Sequence, residues 1–171
     1  MSVVPIRVWG DQVLRERTRA ADQSDPQIRE LVTTMIDTMR DADGAGLAAP
    51  QIGVDLRVAV VDRRMTQSGE DLVLVNPMME VAWGESALEE GCLSLPGIWV
   101  EVRRATHVKV RYVDLAGQHQ VVKASDMLAV ALQHELDHLD GVLLVDRISP
   151  RQRRAIAEDL ERIKETGRSA G

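Results

Sequence analysis

The chain has 171 residues, 44% of them hydrophobic, which is enough for one domain with one apolar core and short for two. A net charge of −6 disfavours phosphate-backbone binding as the main task, because that needs a basic face to displace counterions. Aromatic residues make up only 2% and Phe is absent, so Val, Leu, Ile, Ala and Met must fill the interior, and the single cysteine excludes an intramolecular disulfide.

No stretch approaches the ~20 apolar residues of a membrane span, and "MSVVPIRVWGDQVLRE" lacks a basic-then-apolar leader pattern. The expectation is a soluble, cytoplasmic protein. The first clear helix follows Asp25, a cap, and Pro26, a first-turn residue, with Gly44 past its end. Ile28, Leu31, Val32, Met35, Ile36 and Met39 recur at steps of three and four, so one face is buried. After the Gly/Ala/Pro-rich "GAGLAAPQIG" come two strand-like runs, "LRVAVVD" and "EDLVLVNP", the second closed by Pro77. "WVEVRR" and "THVKVRYVD" alternate as strands with one wet face, and "DLAGQ" (114–118) turns into "HQVVKA". A largely apolar helix is expected from near Ser125 to Leu139 or Asp140, stopped by Gly141. Met127, Leu128, Val130, Ala131 and Leu132 cover most of its circumference, which predicts burial on several sides. "VLLVDRI" reads as a short strand before a last helix, with Ser149 as cap, Pro150 first, and Ile156, Leu160 and Ile163 as its stripe. The fold class expected is α+β: mostly antiparallel strands around a central buried helix, with a C-terminal helix, in a single domain over 1–171.

Within the central helix, "QHELDHLDG" (133–141) brackets a glutamate between two histidines. Residues four apart differ by about 40° in direction, so His134 and His138 project from one face and can reach one ion. Glu135 points about 100° away and can reach a water beside that ion without ligating it. This is the H-E-x-x-H arrangement of zinc hydrolases, and an apolar helix has little reason to bury these groups otherwise. A third ligand is then needed. Position 144, where one protease class carries a histidine, is Leu. Glu158 and Glu161 lie on the charged face of the terminal helix and read as solvated; His107 and His119 read as solvent-facing. Cys92 in "EEGCLSLPG" is left, as a thiolate ligand or as a small buried hydrophobe. Gly91 before it suggests a close approach of backbone to something else. Gly44 and Gly46 suggest either a turn after the first helix or room for an extended peptide to add as a strand.

Together, "GAGLAAPQIG" (44–53), "EGCLSLPG" (90–97) and "QHELDHLDG" (133–141) resemble the three signature motifs of the peptide deformylases, in the same order. The similarity runs from about residue 5 to about residue 165. It implies a bacterial metallohydrolase that removes the formyl group from N-formylmethionine on newly made polypeptides and releases formate, metal-activated hydroxide attacking the formyl carbon. By the same resemblance Cys92, His134 and His138 hold one divalent ion, Fe2+ in the cell, with Zn2+, Ni2+ or Co2+ able to replace it. Glu135 is then the general acid/base, and the Gln51 amide with the Leu93 N–H stabilises the oxyanion. Substrate would lie against Gly44, Gly46 and Gly91, its methionine side chain in a pocket lined by Ala45, Leu88, Val130 and Ala131. Glu90 would pair with Arg104 across the site, an ordinary surface pair being the alternative, and Asp137 would orient from outside the ligands.

Trp99 departs from the family pattern, standing where many bacterial members carry a basic residue, so contacts beyond the methionine are left open. Segment 147–171 has seven Lys and Arg against four Asp and Glu in a chain of net −6. It resembles the C-terminal helix of deformylases that dock near the ribosomal exit tunnel; the other reading is an amphipathic helix packed on its own domain. Two rival functions share the motifs: an endopeptidase, and a non-catalytic peptide-binding module with a structural metal. Structural sites fill four positions with protein ligands, which argues against the module.

Overall fold

The computed structural model describes residues 2–170. Helix α1 (Pro26–Asp41) opens as its cap residues dictate: the Asp25 carboxylate accepts from the Gln27 N–H at 2.9 Å. It stops where Asp43 turns left-handed at φ 54°, and the Gly44 N–H closes back on the Met39 carbonyl at 2.9 Å. Ile28, Val32, Met35 and Met39 are buried, and so is Thr38.

Five antiparallel strands form one sheet: β1 (Gly46–Ala48), β2 (Val58–Val61), β3 (Leu72–Trp83), β6 (His107–Val113) and β7 (His119–Ser125), in that spatial order. Between β3 and β6 in sequence lies a separate hairpin, β4 (Ser86–Cys92) with β5 (Leu95–Arg104). Helix α2 (Asp126–Leu139) follows β7 directly, and Gly141 in the left-handed region (φ 73°) ends the turn after it. A Cβ at Gly141 would stand 2.5 Å from the Arg15 carbonyl oxygen, so that turn requires glycine.

Strand β2 explains how the sheet is sandwiched. Val58 and Val60 face α1 in one core with Ile28, Met35 and Leu47, whereas Ala59 and Val61 face α2 in another with Leu132, Leu136 and Leu139. Burying each of those leucines contributes roughly 1.5–3 kcal/mol. A third core joins β5 to the chain termini through Leu14, Val100, Val102, Leu144 and Leu160.

Four details differ from the sequence expectation. Pro77 does not close β3: the strand absorbs Asn76 and Pro77 as a bulge, with a register shift between Val75 and Met78, and continues to Trp83. Asn76 (φ 51°) is held there by two 2.8 Å hydrogen bonds to the backbone of Ala21. Segment 142–148 is not a strand; Leu144–Asp146 form one 3-10 turn that buries Leu143, Leu144 and Val145. The last helix breaks at Ile156 into α3 (Pro150–Ala155), with its Ser149–Gln152 capping box, and α4 (Ala157–Ala170). On α2 the expected burial is incomplete, since Met127 is 57% exposed.

Candidate metal centre

Two elements build the centre. One turn of α2 carries His134 and His138, and the end of β4 delivers Cys92, where a register shift between Gly91 and Cys92 breaks the hairpin ladder. The Cys92 sulfur and one nitrogen from each histidine lie within 4.8 Å of one another. Cys92 Sγ is 3.3 Å from His138 Nε2, and the two imidazole rings meet at 60° with centroids 5.0 Å apart. One thiolate and two imidazoles make a mixed sulfur–nitrogen donor set, and they fit a single divalent ion.

Electrostatics supports that fit. Burial pushes the Cys92 thiol up, but the two imidazoles outweigh it and hold the group well below the ordinary thiol range. Burial likewise opposes a charged His134, yet the Cys92 thiolate and Glu90 raise it well above the usual imidazole value. Positive charge is wanted between these groups, which a cation supplies more directly than protons do.

His134 is oriented from behind. Its Nδ1 donates to Glu90 Oε1 at 3.1 Å, which leaves Nε2 free to ligate. Arg104 grips Glu90 through Nε at 2.9 Å and Nη2 at 3.0 Å, and donates to Asp137 at 2.6 Å. Asp137 is in turn held by Arg147 at 2.7 Å. Glu90 and Arg104 are each 6% exposed, so theirs is an interior pair. Although burial pushes the Glu90 carboxyl up, His134 and Arg104 bring it below the ordinary range.

Glu135 is buried, and its Oε2 has no hydrogen-bond partner among the described residues. Burial raises its carboxyl above the ordinary value. Its other oxygen packs on Gly46, where a Cβ would stand 2.8 Å away. His138 Nδ1 is the other buried polar atom without a partner among the described residues. Gln51 is fixed by accepting from the Ala48 N–H at 3.0 Å; its amide donates to Ser94 Oγ at 3.1 Å and lies 3.8 Å from Cys92 Sγ.

These groups line a cleft of about 480 Å3 between the Ala42–Gly46 segment, β4–β5 and α2. Gly44, Ala45, Gly46, Gln51, Glu90, Gly91, Cys92, Leu93, Val130, Ala131, His134 and Glu135 all line it. His138 sits behind them, 1% exposed. Leu88 does not line the cleft; it shares the strand face of Glu90 one pleat further out and is 41% exposed. His107 and His119 are exposed and stand outside the ligand cluster, as do Glu158 and Glu161. Ser94 escaped the sequence reading; a serine between two leucines is its only signal, and its buried hydroxyl fixes Gln51. Trp99 stands at the cleft rim, 66% exposed, with its ring so close to Gly91 that a Cβ there would come within 2.9 Å.

The polypeptide deformylase family model matches residues 3–154. The chain belongs to the peptide deformylase family. A peptide deformylase of Chlorobium phaeobacteroides is 41% identical over 161 residues, covering 92% of this chain and 86% of its own. The crystal structure of the Legionella pneumophila deformylase superposes with a TM-score of 0.88 at 39% identity, over 96% of this chain and 97% of that one. A deformylase of Synechococcus elongatus, solved in complex with actinonin, matches at 38% identity and a TM-score of 0.84, covering 91% and 86%. The protein is therefore an enzyme of the deformylase type, acting on the N-formyl group of nascent peptides. No helix among the described residues is long and apolar enough to cross a membrane.

Proposed function

We propose that Cys92, His134 and His138 hold one divalent ion and that Glu135 moves the proton in hydrolysis of an N-terminal formyl group. The observation that carries this reading is Glu135 Oε2, buried and without a hydrogen-bond partner among the described residues, on the same helical turn as the two histidines. Those three residues would hold the ion, which when bound would lower the pKa of a water and polarise a carbonyl oxygen. Glu135 accepts the proton of the attacking water as its oxygen bonds to the formyl carbon. It returns that proton to the leaving amine, which yields formate and a free N-terminus. Its raised pKa suits both halves, since a carboxyl nearer neutrality accepts and donates with less penalty. The Gln51 amide has two N–H donors; one serves Ser94, and the other, directed toward Cys92, serves the developing oxyanion with the Leu93 N–H.

The methionine side chain occupies the apolar part of the cleft at Ala45, Val130 and Ala131, and Leu88 stays outside that lining. The free edge of β1, with Gly44 and Gly46 along its approach, takes the substrate backbone as an added strand. Residues 1–171 act as one unit in the bacterial cytoplasm, with Fe2+ as the working ion. The excess of Arg and Lys in 147–171 supports a contact with the ribosome near its exit tunnel.

The test is formate release from an N-formylmethionyl tripeptide by anaerobically prepared, metal-replete protein, beside Glu135→Ala. Turnover in the first and a loss of at least ~100-fold in the second is expected, with metal content unchanged. Equal rates would remove Glu135 from its role. Cleavage of acetyl-blocked peptides at internal bonds would make the enzyme an endopeptidase instead. Actinonin, the compound bound to the Synechococcus elongatus relative, should compete with the peptide.

A further inference from the structure

The cleft continues past its own rim. Met65 and Met127 line it and also line a second groove of about 970 Å3 on their far side. That groove runs between the segment 64–72 and the strands β6 and β7, over an apolar floor that includes Leu72, Tyr112 and Val122. Trp83, half exposed, also lines it and stacks on His107 with ring centroids 5.1 Å apart and planes 8° from parallel.

The path of a substrate chain follows from β1. That strand is outermost in its sheet, paired with β2 on one side only, so its other edge is open to an added peptide. The reacting end of such a peptide lies by Gly46, against which Glu135 packs. Toward the other end stand Gly44 and Asp43, and there Arg64 donates to the Gly44 carbonyl at 3.1 Å and to Asp43 at 2.9 Å. Arg64 is also part of the second groove's wall. A chain running antiparallel to β1 therefore leaves the cleft beside Arg64 and Met65, at the mouth of that groove.

We propose that this groove receives the segment of the nascent polypeptide that follows formylmethionine, and that Trp83 packs against its side chains beyond the third residue. The proposal rests on the deformylase reading of the cleft and extends it from the first residue to the following stretch. An apolar floor favours apolar downstream residues, and an extended chain advances about 3.3 Å per residue, so an octapeptide reaches further along it than a tripeptide does.

Steady-state kinetics on a formylmethionyl tripeptide and an octapeptide with an apolar tail, using wild type and Trp83→Ala, tests this. For wild type, the octapeptide KM should fall about tenfold below that of the tripeptide, with kcat within about twofold. Trp83→Ala should raise the octapeptide KM about fivefold and leave the tripeptide unchanged, which also shows that the variant is folded. Turnover of the tripeptide with equal KM at both lengths would overturn the groove alone; no turnover of either peptide would remove the deformylase reading with it. A benzophenone side chain at residue six of the octapeptide gives a second readout on wild type. Crosslinks to residues 64–72 or 122–128 are expected, and crosslinks confined to other segments would overturn the proposal.

Discussion

Arg104 holds both oxygens of Glu90, at 2.9 and 3.0 Å, and Glu90 in turn accepts from the ring nitrogen of His134 at 3.1 Å. The pair is interior, so its value lies in what each partner does for the other. Taking Arg104 away leaves a carboxylate buried without its counter-charge, at about 3–5 kcal/mol. It also frees Glu90 to rotate, and with it the imidazole. Arg104→Met is expected to lower the unfolding free energy in urea by that amount and to weaken metal binding about 10–100-fold in a chelator competition. Metal affinity equal to wild type would mean that Glu90 orients His134 unaided.

Gly46 is the position from which the proton carrier can be displaced without touching it. A Cβ there would stand 2.8 Å from Glu135 Oε1 and 3.1 Å from its Cγ and Cδ. The contact is with a packed, buried side chain, so the carboxylate must shift. We predict that Gly46→Ala lowers kcat about 100-fold, the cost of misplacing a reacting group by ~1 Å. Metal content should be retained, since the three atoms nearest to that Cβ all belong to Glu135 and none to a ligand residue. Unchanged kcat would show that Glu135 has slack that its burial does not suggest.

Local rules made some parts of this molecule legible in the sequence and hid others. Helix α1 was readable because Asp25, Pro26 and the three-four spacing all act within a few residues. The two histidines were readable for the same reason: helical geometry alone puts residues four apart on one face. Strand β4 was not, because "SALEEGC" has no β-branched residue and becomes a strand only through pairing with β5. Pro77 misled because a bulge forgives a missing donor, and the Asn76 contacts with Ala21 that stabilise the bulge span 55 residues. Segment 142–148 misled because a short apolar run looks alike in a strand and in a buried turn. Ser94's hold on Gln51 and the bonds of Asp137 to Arg104 and Arg147 were invisible for a further reason: they exist only after the β4–β5 hairpin folds against the Ala49–Ile52 turn and against α2.

The single cysteine makes metal occupancy easy to read chemically. Cys92 is one of the three clustered donors, and the cleft that it lines is open to small molecules. With an ion bound, the sulfur is coordinated and should resist iodoacetamide. After dialysis against a chelator, mass spectrometry should show one carbamidomethyl group per chain, and re-addition of Zn2+ or Ni2+ before the reagent should block it. Equal labelling of both forms would place Cys92 outside the coordination sphere.

Asp146 gives a pH signature away from the metal centre. Burial pushes its carboxyl up, but Arg15 and the Leu143 N–H, at 2.9 Å, outweigh burial and hold it below the ordinary carboxylate range. A folded-state pKa below the unfolded value stabilises the protein above about pH 4, and that contribution is lost as pH falls through the folded value. Asp146→Asn removes the charge while keeping an oxygen for the Leu143 N–H. We expect it to cost about 1 kcal/mol at pH 7 by urea denaturation. The gap to wild type should narrow as pH falls below about 4 and close once the folded-state carboxyl is itself protonated. A gap of the same size at both ends would mean that only packing, and not the Arg15 ion pair, was lost.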